Sequence, residues 1–264
     1  MAYLCASTKA SRGNSLGLIR ATVMKNKVDK QKELQKKYYD QIEFEEYEKS
    51  RKVKRNQMRK LDAQLEISKL SPESSILDVG CGTGIQLRWL LEKGYRPSGI
   101  DLSSGLIEKL RERLNKEGIG DKIELKQSDA EDIQYPDNTF DQVMGTAILH
   151  HVPNPGKVVK EMARVVKPGG WVTVAEPNII NPWILINVFR YWKIDKGALK
   201  STVKNVKKWF KDAGLKDITY KRVVFVPPIP WKPLINLTAK LEPFLEKTPV
   251  LRTMGGIIVM GGRK

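Results

Sequence analysis

The chain has 264 residues, 41% of them hydrophobic, enough apolar material to bury one generous core or two small ones. Its formal net charge is +17, and its two cysteines, Cys5 and Cys81, are too few for a disulfide framework, so the composition fits a reducing compartment. No apolar run approaches the roughly 20 residues that cross a bilayer; the longest, Pro182 to Phe189, is short and broken by Asn181 and Asn187.

Residues 1–28 carry Lys9, Arg12, Arg20, Lys25 and Lys27, several serines and no acid. This is the composition of an organellar transit peptide or, with Met24 as the true start, of a disordered arm; no apolar stretch would serve secretion. Residues 29–68 are dense in Lys, Glu, Gln and Arg, with apolar side chains at Tyr38, Ile42, Phe44, Tyr47, Val53, Met58, Leu61, Leu65 and Ile67. They read as one or two amphipathic helices packed over the domain that follows.

From Ser74 the pattern becomes short apolar runs alternating with helical stretches. Strands are expected at Ile76–Val79, Pro97–Asp101, Lys122–Gln127, Phe140–Ala147 and Trp171–Glu176, and helices at Ile85–Lys93, Ser104–Asn115 and Pro155–Val166. Ser103 is a candidate N-cap, and Pro168, Gly169 and Gly170 are expected to stop the third helix. Such alternation with short connections predicts an α/β fold, a doubly wound, mostly parallel sheet covered on both faces. Beyond Glu176 come a Trp- and Asn-rich stretch to Lys200, a capped basic helix over Ser201–Ala213, a strand over Asp217–Val226, a Pro-rich apolar stretch to Thr248 and a last strand over Gly256–Met260. The expected organisation is an arm (1–28), a helical segment (29–68) and one domain (69–264) with acceptor-side insertions at about 178–200 and 227–254 forming a C-terminal lid.

Charge is unevenly distributed along this plan. Residues 1–60 hold 16 basic and 7 acidic side chains, residues 61–180 hold 14 and 18, and residues 181–264 hold 17 and 5. The positive charge therefore belongs to the flanks and not to the central domain.

The first predicted strand runs into "ILDVGCGTG", Ile76 to Gly84, with glycines at 80, 82 and 84. A dinucleotide fingerprint would need its third glycine where Ile85 stands, and no Gly-Lys-Ser or Gly-Lys-Thr follows to make a phosphate loop. Asp78, just before the turn, would repel a pyrophosphate at the helix N-terminus but suits a ligand with an ammonium group. S-adenosylmethionine is such a ligand, an adenosine carrying a sulfonium and an amino-acid end and no phosphate. Asp101, at the end of the second strand and about 20 residues past the loop, stands where a carboxylate accepts from both ribose hydroxyls.

Together with "SGIDLS" from Ser98, "SDAEDIQYPDNTFDQV" from Ser128, "AILHHVPNP" from Ala147 and "RVVKPGG" from Arg164, this loop resembles the class I S-adenosylmethionine-dependent methyltransferases, most closely the methyltransferase type 11 group. The resemblance spans roughly Ser74 to Glu176 and implies a seven-stranded Rossmann-like methyltransferase fold. It also implies roles. Asp78 and the backbone of Gly80, Cys81 and Gly82 would hold the methionine part, and Gly84 would let the helix start close to the ligand. Asp101 would bind the ribose and Leu102 would flank the adenine. Asp129 and Ala130 would meet the adenine edge, and Thr146 and Ala147 would line the transferring methyl. Read alone, Asp129 could instead cap a short helix, and Cys81 is a packing residue, with nothing nearby to lower its pKa.

Methyl transfer from a sulfonium is an in-line displacement that depends mainly on alignment, with a base needed only for a protonated acceptor. His150 and His151, directly after the fourth strand, are the candidates for that base or for an orienting donor, and Glu176 is a weaker one. No metal is expected. The place of the Asn/Asp-Pro-Pro-aromatic motif of nucleic-acid amino methylation is held by "AILHHV". Four of the six tryptophans, Trp183, Trp192, Trp209 and Trp231, fall in the basic C-terminal segment among apolar patches, the composition of an interfacial membrane segment. The expected acceptor is small and apolar or lipid-like, met at an anionic membrane surface. The competing expectations are an RNA methyltransferase using the basic flanks and a non-catalytic cofactor-binding scaffold. The expected location is cytoplasmic and peripheral to a membrane, with organellar targeting by the arm as the alternative.

Overall fold

The computed structural model describes residues 26, 29–37, 51–225 and 232–264; readings on the other residues, among them most of the targeting-like arm and Trp231, lie outside the described residues. Five strands, β1 (Ser75–Val79), β2 (Arg96–Asp101), β3 (Glu124–Gln127), β4 (Phe140–Thr146) and β5 (Val166–Pro177), pair in parallel. Two more follow, β6 (Lys216–Val223) and β7 (Ile257–Arg263), and β7 runs antiparallel to both β5 and β6. The sheet order is β3-β2-β1-β4-β5-β7-β6, so the chain leaves β1 toward one side of the sheet and returns through β4 on the other. A crevice opens at the carboxyl ends of β1 and β4, where that reversal occurs.

The expected seven-stranded α/β architecture is thus present, and helices cover both faces. The N-terminal segment supplies α1 (29–37) and α2 (Arg51–Ser68); α3 (Ile85–Glu92), α4 (Ser104–Lys116) and α5 (Pro155–Val165) are the crossovers. Beyond β5 lie α6 (Pro182–Arg190), the single turn α7 (Trp192–Asp195), α8 (Val203–Asp212) and α9 (Lys232–Lys247).

On one face Leu61 of α2 joins Ile76, Ile85, Trp89, Leu90 and Met144, while Ala63 joins Ala175, Val223, Ile257 and Val259. On the other face Val158, Val159 and Met162 of α5 and Val206 and Phe210 of α8 pack with Val143, Val172 and Val174. Trp209, expected at a membrane interface, instead packs half-buried against this core. Its place on the apolar face of α8 decides this, because that face must meet α5.

The buried face of α2 also carries polar residues, held by a chain of bonds through the sheet. Ser68 Oγ donates to Gln142 Oε1 (2.9 Å), Gln142 Nε2 to Thr173 Oγ1 (2.7 Å), Thr173 Oγ1 to Gln64 Oε1 (3.0 Å) and Gln64 Nε2 to Thr146 Oγ1 (3.0 Å). Each buried donor finds an acceptor, so the helix is fixed in register on the sheet and not merely greased to it.

Several boundaries differ from the sequence reading for local reasons. Ser103 does cap α4, its Oγ accepting from the Leu106 N–H at 3.0 Å. The cap of α8, however, is Thr202 and not Ser201, which is fully buried. Helix α5 ends at Val165, and Pro168, Gly169 and Gly170 belong to an irregular start of β5 whose register slips between Phe140 and Gln142. Gly170 allows the close approach there, since a Cβ would lie 2.6 Å from the Asp141 carbonyl oxygen.

Gly84 opens α3 at φ +71°, and a Cβ would stand 2.4 Å from Leu110 Cδ1 of α4. Left-handed strain and overpacking together make Gly84→Ala worth about 2–4 kcal/mol of lost stability. A denaturant midpoint equal to wild type would contradict this close packing.

Candidate active site

A cavity of about 230 Å³ occupies the crevice at the carboxyl ends of β1, β2 and β4. Its floor is the β1–α3 turn, where Asp78, Gly80, Cys81 and Gly82 all line the space. Asp101 and Leu102 form one wall, Asp129 and Ala130 a second, and Thr146 and Ala147 a third. Of the sequence-selected residues, Gly84, His150 and Glu176 do not line it: Gly84 sits behind the turn against α4, and His150 and Glu176 are buried in the fold.

Asp78 is 2% exposed and its Oδ1 has no hydrogen-bond partner. Burial, reinforced by the nearby charge of Asp101, pushes its pKa up to about 7. Such a carboxylate is short of a cation. Beside it a Cβ on Gly82 would meet nothing within 4 Å, so the rim of the turn is open. Asp101 holds that turn, its Oδ2 accepting from the Gly82 N–H at 3.0 Å and its Oδ1 from the Ser103 N–H at 2.9 Å. The Cys81 thiol is 7% exposed, and burial with the charges of Asp101 and Asp78 raises its pKa well above the ordinary value, which leaves it a packing residue.

Asp129 caps a turn and no helix. Its Oδ1 accepts from the Glu131 N–H at 2.9 Å, and the chain folds back into a bridge between Asp129 and Asp132. Its Oδ2 accepts from Lys32 Nζ of α1 at 2.5 Å, and α1 lies over the cavity with Lys32, Gln35 and Lys36 on its wall.

At the end of β4 the backbone turns sharply: Ala147 is held at φ +58°, a left-handed conformation rare outside glycine. Glu176, at the end of β5 and 0% exposed, holds the turn. Its Oε1 accepts from the Ile148 and Leu149 N–H groups at 3.0 and 2.9 Å, and its Oε2 lies 3.3 Å from the His150 N and 2.7 Å from His150 Nδ1. Glu176 is therefore an anchor and not a base, and His150 is part of the same clamp. His151, stacked on His150 with ring centroids 3.9 Å apart, is the histidine on the cavity wall. Burial, then the neighbouring His150, hold its pKa well below the ordinary value, while a ring nitrogen donates to the Ile194 carbonyl.

Sequence reasoning missed the polar wall beside Thr146. Gln86 Nε2 lies 3.0 Å from Thr146 Oγ1, and Gln57 of α2 lines the same space. A glutamine on the apolar face of a short helix, in "IQLRWLL", was the available signal.

A buried carboxylate with an unpartnered oxygen beside an open glycine rim fits the amino group of S-adenosylmethionine, and the comparisons agree. Residues 77–174 match the family model described as a methyltransferase domain. A phosphatidylethanolamine N-methyltransferase from Cereibacter sphaeroides is 33% identical over 150 residues, covering 54% of this chain and 66% of that one. A ubiquinone biosynthesis O-methyltransferase from Thiobacillus denitrificans is 40% identical over 103 residues, covering 39% and 44%. The chain thus spans less than two thirds of the length of these curated relatives. Among solved structures, a phosphoethanolamine N-methyltransferase from Haemonchus contortus in complex with S-adenosylmethionine shares the fold with a TM-score of 0.56 at 19% identity, covering 79% of this chain and 52% of that one. Residues 77–174 are thus a methyltransferase domain that resembles the class I S-adenosylmethionine-dependent methyltransferases, with S-adenosylmethionine as its cofactor.

Proposed function

We propose that this protein methylates a small, apolar or lipid-like acceptor met at a membrane surface, with His151 taking the acceptor proton or orienting the acceptor. The observation that carries this reading is the place of His151: on the wall of the cavity that Thr146 and Ala147 also line, and uncharged at neutral pH because burial and His150 oppose its protonation. An uncharged imidazole can accept a proton as the new bond forms. Asp78 would pair with the amino group of the cofactor, Asp101 would accept from the ribose hydroxyls, and Asp129 would exchange Lys32 for the adenine edge. The cofactor brings a methyl group on a cationic sulfur, and the chain contributes alignment and exclusion of water.

Support for an apolar acceptor comes from relatives named for a phospholipid and a quinone substrate, and from the exposed apolar side chains beyond β5. The test is transfer from methyl-labelled cofactor into a lipid extract, with total RNA in a parallel arm. Label in the organic phase is expected; label in RNA would favour the nucleic-acid alternative, and label in neither would favour a binding scaffold. For His151→Asn, turnover of the lipid acceptor is expected to fall by about 10²–10⁴-fold with cofactor affinity unchanged. Undiminished turnover would remove His151 from the reaction.

A further inference from the structure

The surface around the start of α6 is apolar, exposed and firmly built. Ile180 and Trp183 are 57% and 41% exposed, and on the adjacent turn Val250 and Leu251 are 76% and 41% exposed. Two buried asparagines clamp these stretches together. Asn178 Nδ2 donates to the carbonyls of Thr253 and Gly255 at 3.0 and 2.6 Å, and Asn181 Nδ2 to that of Met254 at 2.6 Å. The Asn181 Oδ1 meanwhile caps α6, accepting from the Trp183 and Ile184 N–H groups. The far end of the same helix carries Phe189 stacked on Trp192, centroids 5.7 Å apart and planes 3° from parallel, both exposed.

Apolar surface of this extent, held rigid by buried polar groups, calls for a covering partner. Charge names its chemistry. Arg190, Lys193, Lys247 and Arg252 are all exposed and lie within a few residues of these side chains along the chain, in a segment of 17 basic and 5 acidic residues. Tryptophan and aliphatic side chains ringed by Lys and Arg match the boundary of an anionic bilayer, where the rings sit at headgroup depth and the bases meet phosphates. A protein partner would have to be strongly acidic around an apolar centre. Position agrees as well: α6 begins just beyond the carboxyl end of β5, the same sheet edge at which the cavity lies.

We propose that the face formed by α6, α7 and the Val250–Met254 turn docks on an anionic lipid bilayer, its apolar side chains entering the interface and its basic rim pairing with lipid phosphates. The inference rests on the lipid-like acceptor reading for its purpose, but its test does not. Full-length protein, without cofactor, is sedimented with vesicles of phosphatidylcholine alone or mixed with phosphatidylglycerol, in low and high salt. Wild type is expected in the pellet with the anionic vesicles at low salt and in the supernatant at high salt. Val250→Asp with Leu251→Asp should abolish pelleting, and Lys247→Glu with Arg252→Glu should weaken it by about fivefold or more for each basic residue lost. All four positions are exposed, and unchanged cofactor binding by calorimetry confirms that the variants are folded.

Wild type left in the supernatant with anionic vesicles at low salt would overturn the proposal, as would variants that pellet like wild type. A dimer in gel filtration that the Val250→Asp/Leu251→Asp pair dissociates, without vesicle binding, would assign the face to a second copy and also overturn it. Failure of the docking alone leaves methyl transfer to detergent-dispersed lipid intact. Failure of the acceptor reading alone leaves sedimentation intact and label absent from lipid.

Discussion

Glu176→Ala is expected to be the most damaging single substitution in the domain, lowering stability by about 3–5 kcal/mol. The carboxylate is fully buried and receives the N–H groups of Ile148, Leu149 and His150 and the ring of His150. Alanine would leave three backbone donors and an imidazole without an acceptor in a place water does not readily reach. It would also release Ala147 from its φ of +58°, because the strained turn is held from its far side by this clamp. Loss of activity should therefore exceed loss of stability, since Thr146, Ala147 and His151 all line the cavity through this segment. Glu176→Gln keeps the volume and one accepting oxygen and should fall between. Equilibrium denaturation with matched assays below the unfolding transition reads both effects; an alanine variant as stable as wild type would contradict the clamp.

Asp78→Asn is expected to act in opposite directions on stability and binding. The folded protein holds the Asp78 pKa at about 7, against an unperturbed value of 3.8, through burial first and Asp101 second. Between those values the folded state keeps a proton that the unfolded chain has lost. Stability contributed by protonated Asp78 is full below about pH 4 and is lost as pH rises to about 7, a change of the order of 4 kcal/mol. Asparagine cannot ionise, so the variant should be the more stable protein at pH 8 and should lack this dependence. The same change removes a carboxylate at the cavity floor that is placed to pair with an ammonium group beside the glycine turn, and cofactor affinity should fall by about 100-fold. In wild type, affinity should weaken by up to about tenfold per pH unit below pH 7, as protonation of Asp78 competes with the cation. A variant that is less stable at pH 8 and binds normally would contradict both halves.

What was readable in the sequence was what local chemistry dictates. The run from Ile76 to Val79 is apolar apart from Asp78 because both faces of β1 are covered, and Gly80, Gly82 and Gly84 bend at positive φ, so strand, turn and carboxylate could be placed together. The Ser103 cap and the strand end at Asp101 followed in the same way, whereas the fourth strand stops at Thr146, one residue before its expected end at Ala147. What escaped depended on partners distant along the chain. Glu176 meets groups 26–28 residues away, and Lys32 meets Asp129 across 97 residues, so neither role leaves a local mark. The Gln64–Thr146–Gln86 contacts need three elements at once, and only the oddity of glutamine on a buried helix face hinted at them. His150 and His151 are identical as letters; the turn at Ala147 sends one to Glu176 and the other to the cavity.

Every role assigned in the cavity depends on Asp78 recognising a cationic adenosine compound that carries no phosphate. Calorimetric titration of wild-type protein with S-adenosylmethionine at pH 6 and pH 8, with ATP and NAD as controls, measures this in one series. The expected result is saturable binding of S-adenosylmethionine that tightens from pH 6 to pH 8, and no heat from either phosphate compound. Binding of ATP or NAD in place of S-adenosylmethionine, or affinity that is strongest at pH 6, would contradict it.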